Sequence, residues 1–465
     1  MGERSQPALA GRLMAVRAAR REAYNLRVLT IYQVVLRIGW IFKTESVIMP
    51  AFLDAVAGAG WLRGLLPVLG RVGLSMPPLF YAARLRALPR KKWVLAWWGV
   101  AMGLPFLVLA WAWWEREHVR ALMAPLFLVM YAVFSVCNGL NGVSLNTLIG
   151  KLVQAQRRGR LMADASVTGS LLAVACAWWL LGDWLARSDH GFHLVFGFTG
   201  LLFILTAGAA AALNEHADRY AEGLAAGAAA PREPPSWLGA LRGGWNAAWQ
   251  AAWRTLREDG NFRRLVAVTT FASVGSILFP HYQALARERL QLGQGQMMVW
   301  VVVQNGAIGF FGLFLGPLAD RRGNRLALRA ALAATTMAPL LALAMALADP
   351  TWGRRWFWLV FVPLGFTPLS LKTFVNYALE LAPAAEHPRY LSALGVCQAL
   401  PFVFAPALGW LADVTSFEWV FGLGAVCLAV SVALTFRLCE PRTWSAPQPS
   451  SGRNEPRSAW ADEEA

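Results

Sequence analysis

The sequence predicts an all-α membrane protein in which twelve transmembrane helices form two pseudo-symmetric six-helix bundles. Three observations lead there. Of the 465 residues, 57% are hydrophobic and 15% charged, with a mean hydropathy of +0.43. A soluble chain carries roughly a quarter charged residues and could not hide this much apolar surface from water. Runs close to the ~20 apolar residues needed to cross the hydrocarbon recur twelve times. Finally, the two halves of the chain can be laid over one another.

The elements follow in order. Residues 1–27 form a basic, cytoplasmic N-terminal arm. Its Arg20-Arg21 pair is followed by Glu22, Tyr24 and Asn25 before the apolar run, which reads as retained inside charge and not as an export signal. Residues 28–214 make the first bundle, with apolar runs near 28–50, 62–81, 93–114, 122–149, 165–185 and 193–213. Residues 215–261 form a cytoplasmic linker, irregular and rich in Ala, Gly and Pro as far as Pro235. Beyond it Trp237, Leu241, Trp245, Trp249, Trp253 and Leu256 recur every three or four positions, with Arg242, Arg254 and Arg257 between them. That spacing predicts an amphipathic helix lying on the inner leaflet. The second bundle, 262–438, has runs near 265–285, 297–318, 326–347, 356–379, 390–411 and 419–438. Residues 439–465 are rich in Pro, Ser and charge and read as a disordered cytoplasmic tail.

Lys and Arg near span ends stay on the cytoplasmic side. With both termini inside, 31 of them fall on that side and 8 on the other. The expected location is therefore a bacterial inner membrane with both termini in the cytoplasm. The same dispersal over short loops accounts for most of the net charge of +16 and argues against a nucleic-acid partner. Cys137, Cys176, Cys397 and Cys427 fall within spans and Cys439 just beyond the last, so all five read as reduced thiols without metal spacing. No phosphate-binding glycine loop, metal-spaced His/Cys cluster or nucleophile elbow is present, so neither an enzyme nor a cofactor is expected.

Residues 146–161 align with 376–391 at an offset of 230, and Asp183 meets Asp413 at the same offset. Asn25, Arg27 and Gly39 match Asn261, Arg263 and Gly275 at an offset of 236. Six plus six spans in parallel is one of the repeat arrangements of secondary transporters. After the eighth span, Gly316-Pro-Leu-Ala-Asp320-Arg321-Arg322-Gly323-Asn-Arg325 resembles the G-x-L-a-D-R-x-G-R-R signature of the major facilitator superfamily, at the place of its second-half copy. The first-half site, 83–92, keeps the basic residues but lacks the acidic residue and the glycines. The resemblance covers 28–438 and implies that fold, alternating-access transport, and a cavity lined by the first, fourth, seventh and tenth spans. Independently of the name, the glycines allow a tight turn, and Asp320 can accept hydrogen bonds from a helix N-terminus or an Arg. Gly316, Asp320, Arg321, Gly323 and Arg325 are accordingly the candidate gating loop, a latch that breaks when the halves rock.

Four cations lie within spans, Arg37, Lys43, Arg71 and Lys372, against one clear anion, Glu45. Each such charge costs about 2.5–3.5 kcal/mol at mid-membrane on insertion scales, so a polar cavity or pairing is expected. On an ideal helix Arg37 and Glu45 stand about 80° apart and Lys43 points away from Glu45. The resemblance favours Arg37 or Lys43, with Lys372, as lining groups. Asn138 and Asn141 on the fourth span and Thr373 and Asn376 on the tenth complete the candidate substrate-binding set. These cations point to a small anionic or zwitterionic solute, while helix-to-helix pairing is the competing reading. Glu45 and His281 are the candidates for proton coupling. Gly306, Gly309, Gly312 and Gly316 read as a small-residue face for close helix packing, with Gln304 and Asn305 beside it able to face the cavity. Tryptophans such as Trp93, Trp113, Trp114 and Trp356 sit near span ends, as interface anchors do.

The function expected is secondary active transport. The alternatives are a multidrug-type exporter of lipophilic compounds and a non-transporting assembly or regulatory protein of the same fold. Expected partners are the bilayer, a small-molecule solute and, in the coupled case, protons; the chain is expected to act as a monomer.

Overall fold

A helix satisfies every backbone N–H and C=O within its own segment, which is what hydrocarbon demands. The computed structural model describes residues 6–187, 191–216, 237–383 and 386–441, and every regular element among them is helical. The linker segment 217–235, expected to be irregular, and the tail from 442 lie outside the described residues, as do the side chains of Arg84 and Arg86 in the first-half loop and of Trp237, Leu241 and Trp245.

The first half of the chain contains α1 (Gln6–Phe42), α2 (Ile48–Val56), α3 (Gly60–Ala87), α4 (Lys92–Trp114), α5 (Met123–Leu152), α6 (Ala155–Cys176) and α7 (Phe192–Ala211). A π-helical turn, Ala177–Leu181, prolongs α6. The linker helix is α8 (Trp237–Glu258). The second half contains α9 (Gly260–Ala272), α10 (Phe279–Glu288), α11 (Met297–Arg322), α12 (Asn324–Leu347), α13 (Phe366–Leu381), α14 (His387–Ala399), α15 (Ala405–Val414) and α16 (Phe417–Thr435).

Ten helical stretches are long and apolar enough to cross a membrane, and they coincide with the third to twelfth expected runs. The first two runs fall on α1 with α2 and on α3, outside this set, and these are the segments that hold Arg37, Lys43, Glu45, Arg63 and Arg71.

Within the first half α4 packs on α5 and α7, α3 on α5, and α1 on α6 and α7; within the second, α12 packs on α13 and α16, and α9 on α16. The halves meet where α3 crosses α14 and α15, where α2 meets α10, and where α11 meets α6 and its π-helical continuation. Glycines set two of these approaches. Gly73 lies against Ser135, and Gly60, Gly64 and Gly409 bring α3 and α15 so close that a Cβ at any of the three would strike facing backbone. The eighth-span glycines behave differently, and the expected close packing is corrected there. Nothing lies within 4 Å of a Cβ built at Gly306 or Gly316, and those at Gly309 and Gly312 meet Ser170 and Leu369 in ordinary contact at 3.7 Å. These glycines border open space between α11 and α6.

The linker helix docks on protein along one face. Ala252 and Thr255 are buried and Leu256 packs in the core cluster with Tyr390 and Leu394 of α14, while Trp249 and Trp253 remain exposed. At this end of the molecule, the linker end, each half is clasped to itself by acidic residues. Glu215, just past α7, accepts from the backbone N–H of Lys91 at 3.0 Å and of Lys92 at 2.8 Å, and pairs with Lys151 at 2.8 Å. Glu440, just past α16, pairs with Arg325 at 3.6 Å and lies against Gly323, whose φ of +90° suits a residue without a Cβ. Glu22 pairs with Arg157 at 3.3 Å, and Glu258 pairs with Arg389.

Candidate functional site

A cavity of about 470 Å³ lies between the halves at mid-height, lined among others by Arg37, Lys43, Glu45, Arg71, Gln304 and Lys372. The first helix delivers three of these because it breaks. After Phe42 residues 43–47 form turns before α2 begins, so the ideal-helix angles no longer apply. Lys43 swings round to donate to Glu45 Oε1 at 2.8 Å, which corrects the expectation that it points away. Its ammonium is 1% exposed and sits 3.8 Å from the Trp40 ring centroid and 4.7 Å from that of Phe134. Aromatic faces and a carboxylate together replace the water that a buried ammonium loses. Glu45 also accepts from the Tyr131 hydroxyl at 2.7 Å, and its side chain stays 30% exposed to the cavity. Lys43 is thus already neutralised and is not an open ligand for a solute.

The remaining cations are uncompensated. Among the described residues no carboxylate pairs with Arg37, Arg71 or Lys372. Arg71 donates to Gln398 on α14 and stands 5.7 Å over the Phe402 ring, while its Nε is buried without a partner. Lys372 on α13 is exposed to the cavity, which Arg37 also lines. Three positive groups from both halves therefore converge on one space, with aromatic and aliphatic walls from Trp40, Phe279, Leu371 and Phe402. Such a site can hold an anion by charge-assisted hydrogen bonds, and an Arg can do so bidentately.

A second cavity of about 630 Å³ opens between α6, α11 and α13 on the linker side of the first, and it is lined by Thr373, Asn376 and Gly316 as well as by Lys372. Thr373 Oγ1 itself donates to the Leu369 carbonyl at 3.0 Å. The other predicted residues lie elsewhere. Asn141 donates to the Tyr32 hydroxyl at 2.6 Å, tying α5 to α1, and Asn138 is buried on α5; neither lines these cavities. His281 is wholly buried in α10, with neither ring nitrogen hydrogen-bonded, and it lines neither cavity. At the junction of α11 and α12, Asp320 in the last turn of α11 is engaged and Arg321 exposed, while Arg325 in the first turn of α12 donates to the Leu438 carbonyl at 3.1 Å and pairs with Glu440, which fastens Arg325 to its own half.

In the sequence Arg63, at the start of the second apolar run, counts only as one of the eight cations of the outer side. It is 0% exposed and joins both halves at the end opposite the linker. Its guanidinium donates to Glu288 at 2.8 Å, to Asp413 at 3.2 Å and to Asp54 at 3.4 Å, and Arg287 also reaches Asp54, at 3.3 Å. The backbone N–H of Gly60 donates to Asp413 at 2.7 Å, and Ser46 hydrogen-bonds Gln304 across the same interface. The only signal in the sequence was an Arg between two glycines at a span end, and its partners are supplied by three other segments.

The family model described as Major Facilitator Superfamily matches residues 46–406. No curated protein matches the sequence significantly. Among solved structures, the crystal structure of a mutant of the nucleoside transporter NupG is similar to this fold, with a TM-score of 0.66 at 11% sequence identity, over 90% of this chain and 100% of that one. At such identity the likeness is one of fold.

Proposed function

Because the chain belongs to the major facilitator superfamily, we propose that it is a secondary active transporter that carries a small anionic or zwitterionic solute through the central cavity by alternating access. The observation that carries this reading is the convergence of Arg37, Arg71 and Lys372 on one cavity with no carboxylate paired to any of them among the described residues. Uncompensated charges inside a membrane protein are expensive, and a bound anion removes that cost. The reading takes the chain as a monomer of twelve spans in a bacterial inner membrane, with bundles at 28–214 and 262–438 and both termini in the cytoplasm. The end closed by Arg63 then faces outward. Protons are the proposed coupling ion, with Glu45 as carrier, since it is the one of the two candidates exposed to the cavity.

The test is transport by purified protein in liposomes, with the solute first found by a thermal-shift screen of anions, since ligands that bind the folded form raise its apparent stability. Arg37→Ala, Arg71→Ala and Lys372→Ala should each lower uptake about 10- to 100-fold, as expected for losing a hydrogen bond to a charged group worth ~1.5–3 kcal/mol. Unchanged uptake in all three would remove the anion. A stable complex with another protein, and no transport of any ligand, would favour the non-transporting alternative.

A further inference from the structure

We infer that the cavity between α6 and α11 holds the apolar chain of a single-chain anionic amphiphile whose head group sits between Arg37 and Lys372. This rests on the anionic reading of the central cavity and narrows it to a substrate class.

The two cavities are one continuous space, because Asn305, Ile308 and Lys372 line both. They differ in charge. The central part holds the cations, and also Thr367, which is 3% exposed with a hydroxyl that has no partner and is available to a head-group oxygen. The lateral part has Lys372 as its one charged lining residue and is walled by Val167 and Leu171 of α6 and by Phe310 and Leu313 of α11, with Ser170 and Asn376 among them. Leu171 is 68% exposed and Leu313 61%, so both walls are open to an apolar ligand.

The groove runs beside Ala163 to Val174, about 16 Å at the helical rise. Open space at Gly306 and Gly316 gives it width, and α11 touches the far continuation of α6 while parting from it toward the linker end. Lys372 stands at the junction, exposed and without a carboxylate. A ligand with charge at one end and hydrocarbon at the other engages both parts at once. A small polar anion would leave the apolar walls uncovered, and a lipophilic cation would meet the wrong charge at the junction.

The experiment uses the full chain in nanodiscs and measures binding by tryptophan fluorescence for two homologous series, acetate to octanoate and ethyl to octyl phosphate. Transfer of a methylene out of water predicts affinity rising by about two- to fourfold per added carbon in at least one series. Gly306→Phe from one wall and Ser166→Phe from the other project into space that is open in the structure. Each should abolish the dependence on chain length while leaving the shortest anion's affinity as the internal reference, and either variant alone suffices if the other does not fold. Binding of every member with no dependence on length, or a dependence that survives in the folded variants, would overturn the amphiphile and leave the anion standing. Binding of no member would overturn both readings.

Discussion

The two ends of the interface between the halves are built on opposite plans. At the end opposite the linker, one buried guanidinium serves Asp54 from its own half and Glu288 and Asp413 from the other, beside a helix crossing in which Gly60, Gly64 and Gly409 allow backbone to meet backbone. At the linker end, Glu22 and Glu215 hold loops of the first half, and Glu258 and Glu440 hold loops of the second. Contacts of the first kind are lost when the halves separate; contacts of the second kind survive, because both partners move together. The structure is therefore closed at the first end, and the second end keeps each half intact while the groove between α6 and α11 stands open.

Substitutions can break or sharpen that contrast, and the largest effect belongs to Arg63. Arg63→Ala takes the guanidinium from Asp413 and leaves Asp54 with Arg287 alone, and removing one partner of a buried pair costs about 3–5 kcal/mol. The closed state should lose that much, seen as rapid labelling of a cysteine at Ser46, in a background without the native cysteines, by a membrane-impermeant maleimide. Unchanged labelling would show that the cluster does not close this end.

Glu45→Gln comes next. It removes the counter-charge of the 1%-exposed Lys43 and should lower thermal stability by roughly 1.5–3 kcal/mol, as for a hydrogen bond to a charged group. It should also flatten the pH dependence of transport, and proton coupling that persists would exclude Glu45 as carrier.

Gly64→Leu forces a side chain against the Ala405 backbone, and overpacking of this kind costs about 1–3 kcal/mol. It should raise labelling at Ser46 less than Arg63→Ala does, without moving the pH profile. Smallest is Arg389→Ala at the linker end. Its pair with a half-exposed Glu258 is worth about 0–1 kcal/mol, and labelling at the opposite end should not change. A large effect there would mean that the linker-end pairs also hold the halves together.

Much of this was legible in the sequence. Ten of the expected runs coincide with helices able to span a membrane, the cationic residues Arg37, Arg71 and Lys372 were singled out, and Asp413 was marked by the repeat, though its partner Arg63 was not. Lys43 and Glu45 were misread because the angular argument assumed an unbroken helix, and the chain turns after Phe42. The glycines of α11 were misread for a related reason: a small-residue face shows that a close approach is possible, and only the position of α6 decides whether it happens.

Hydropathy and the positions of charge are properties of local sequence, summed residue by residue, so the chain alone determined that it is a membrane helical protein with a few costly charges in its spans. Which charges are paired and which are free is a matter of distances between segments hundreds of residues apart, such as Arg63 and Asp413 or Arg71 and Gln398. Electrostatic energy depends on those distances and on burial, and neither exists until the helices have packed.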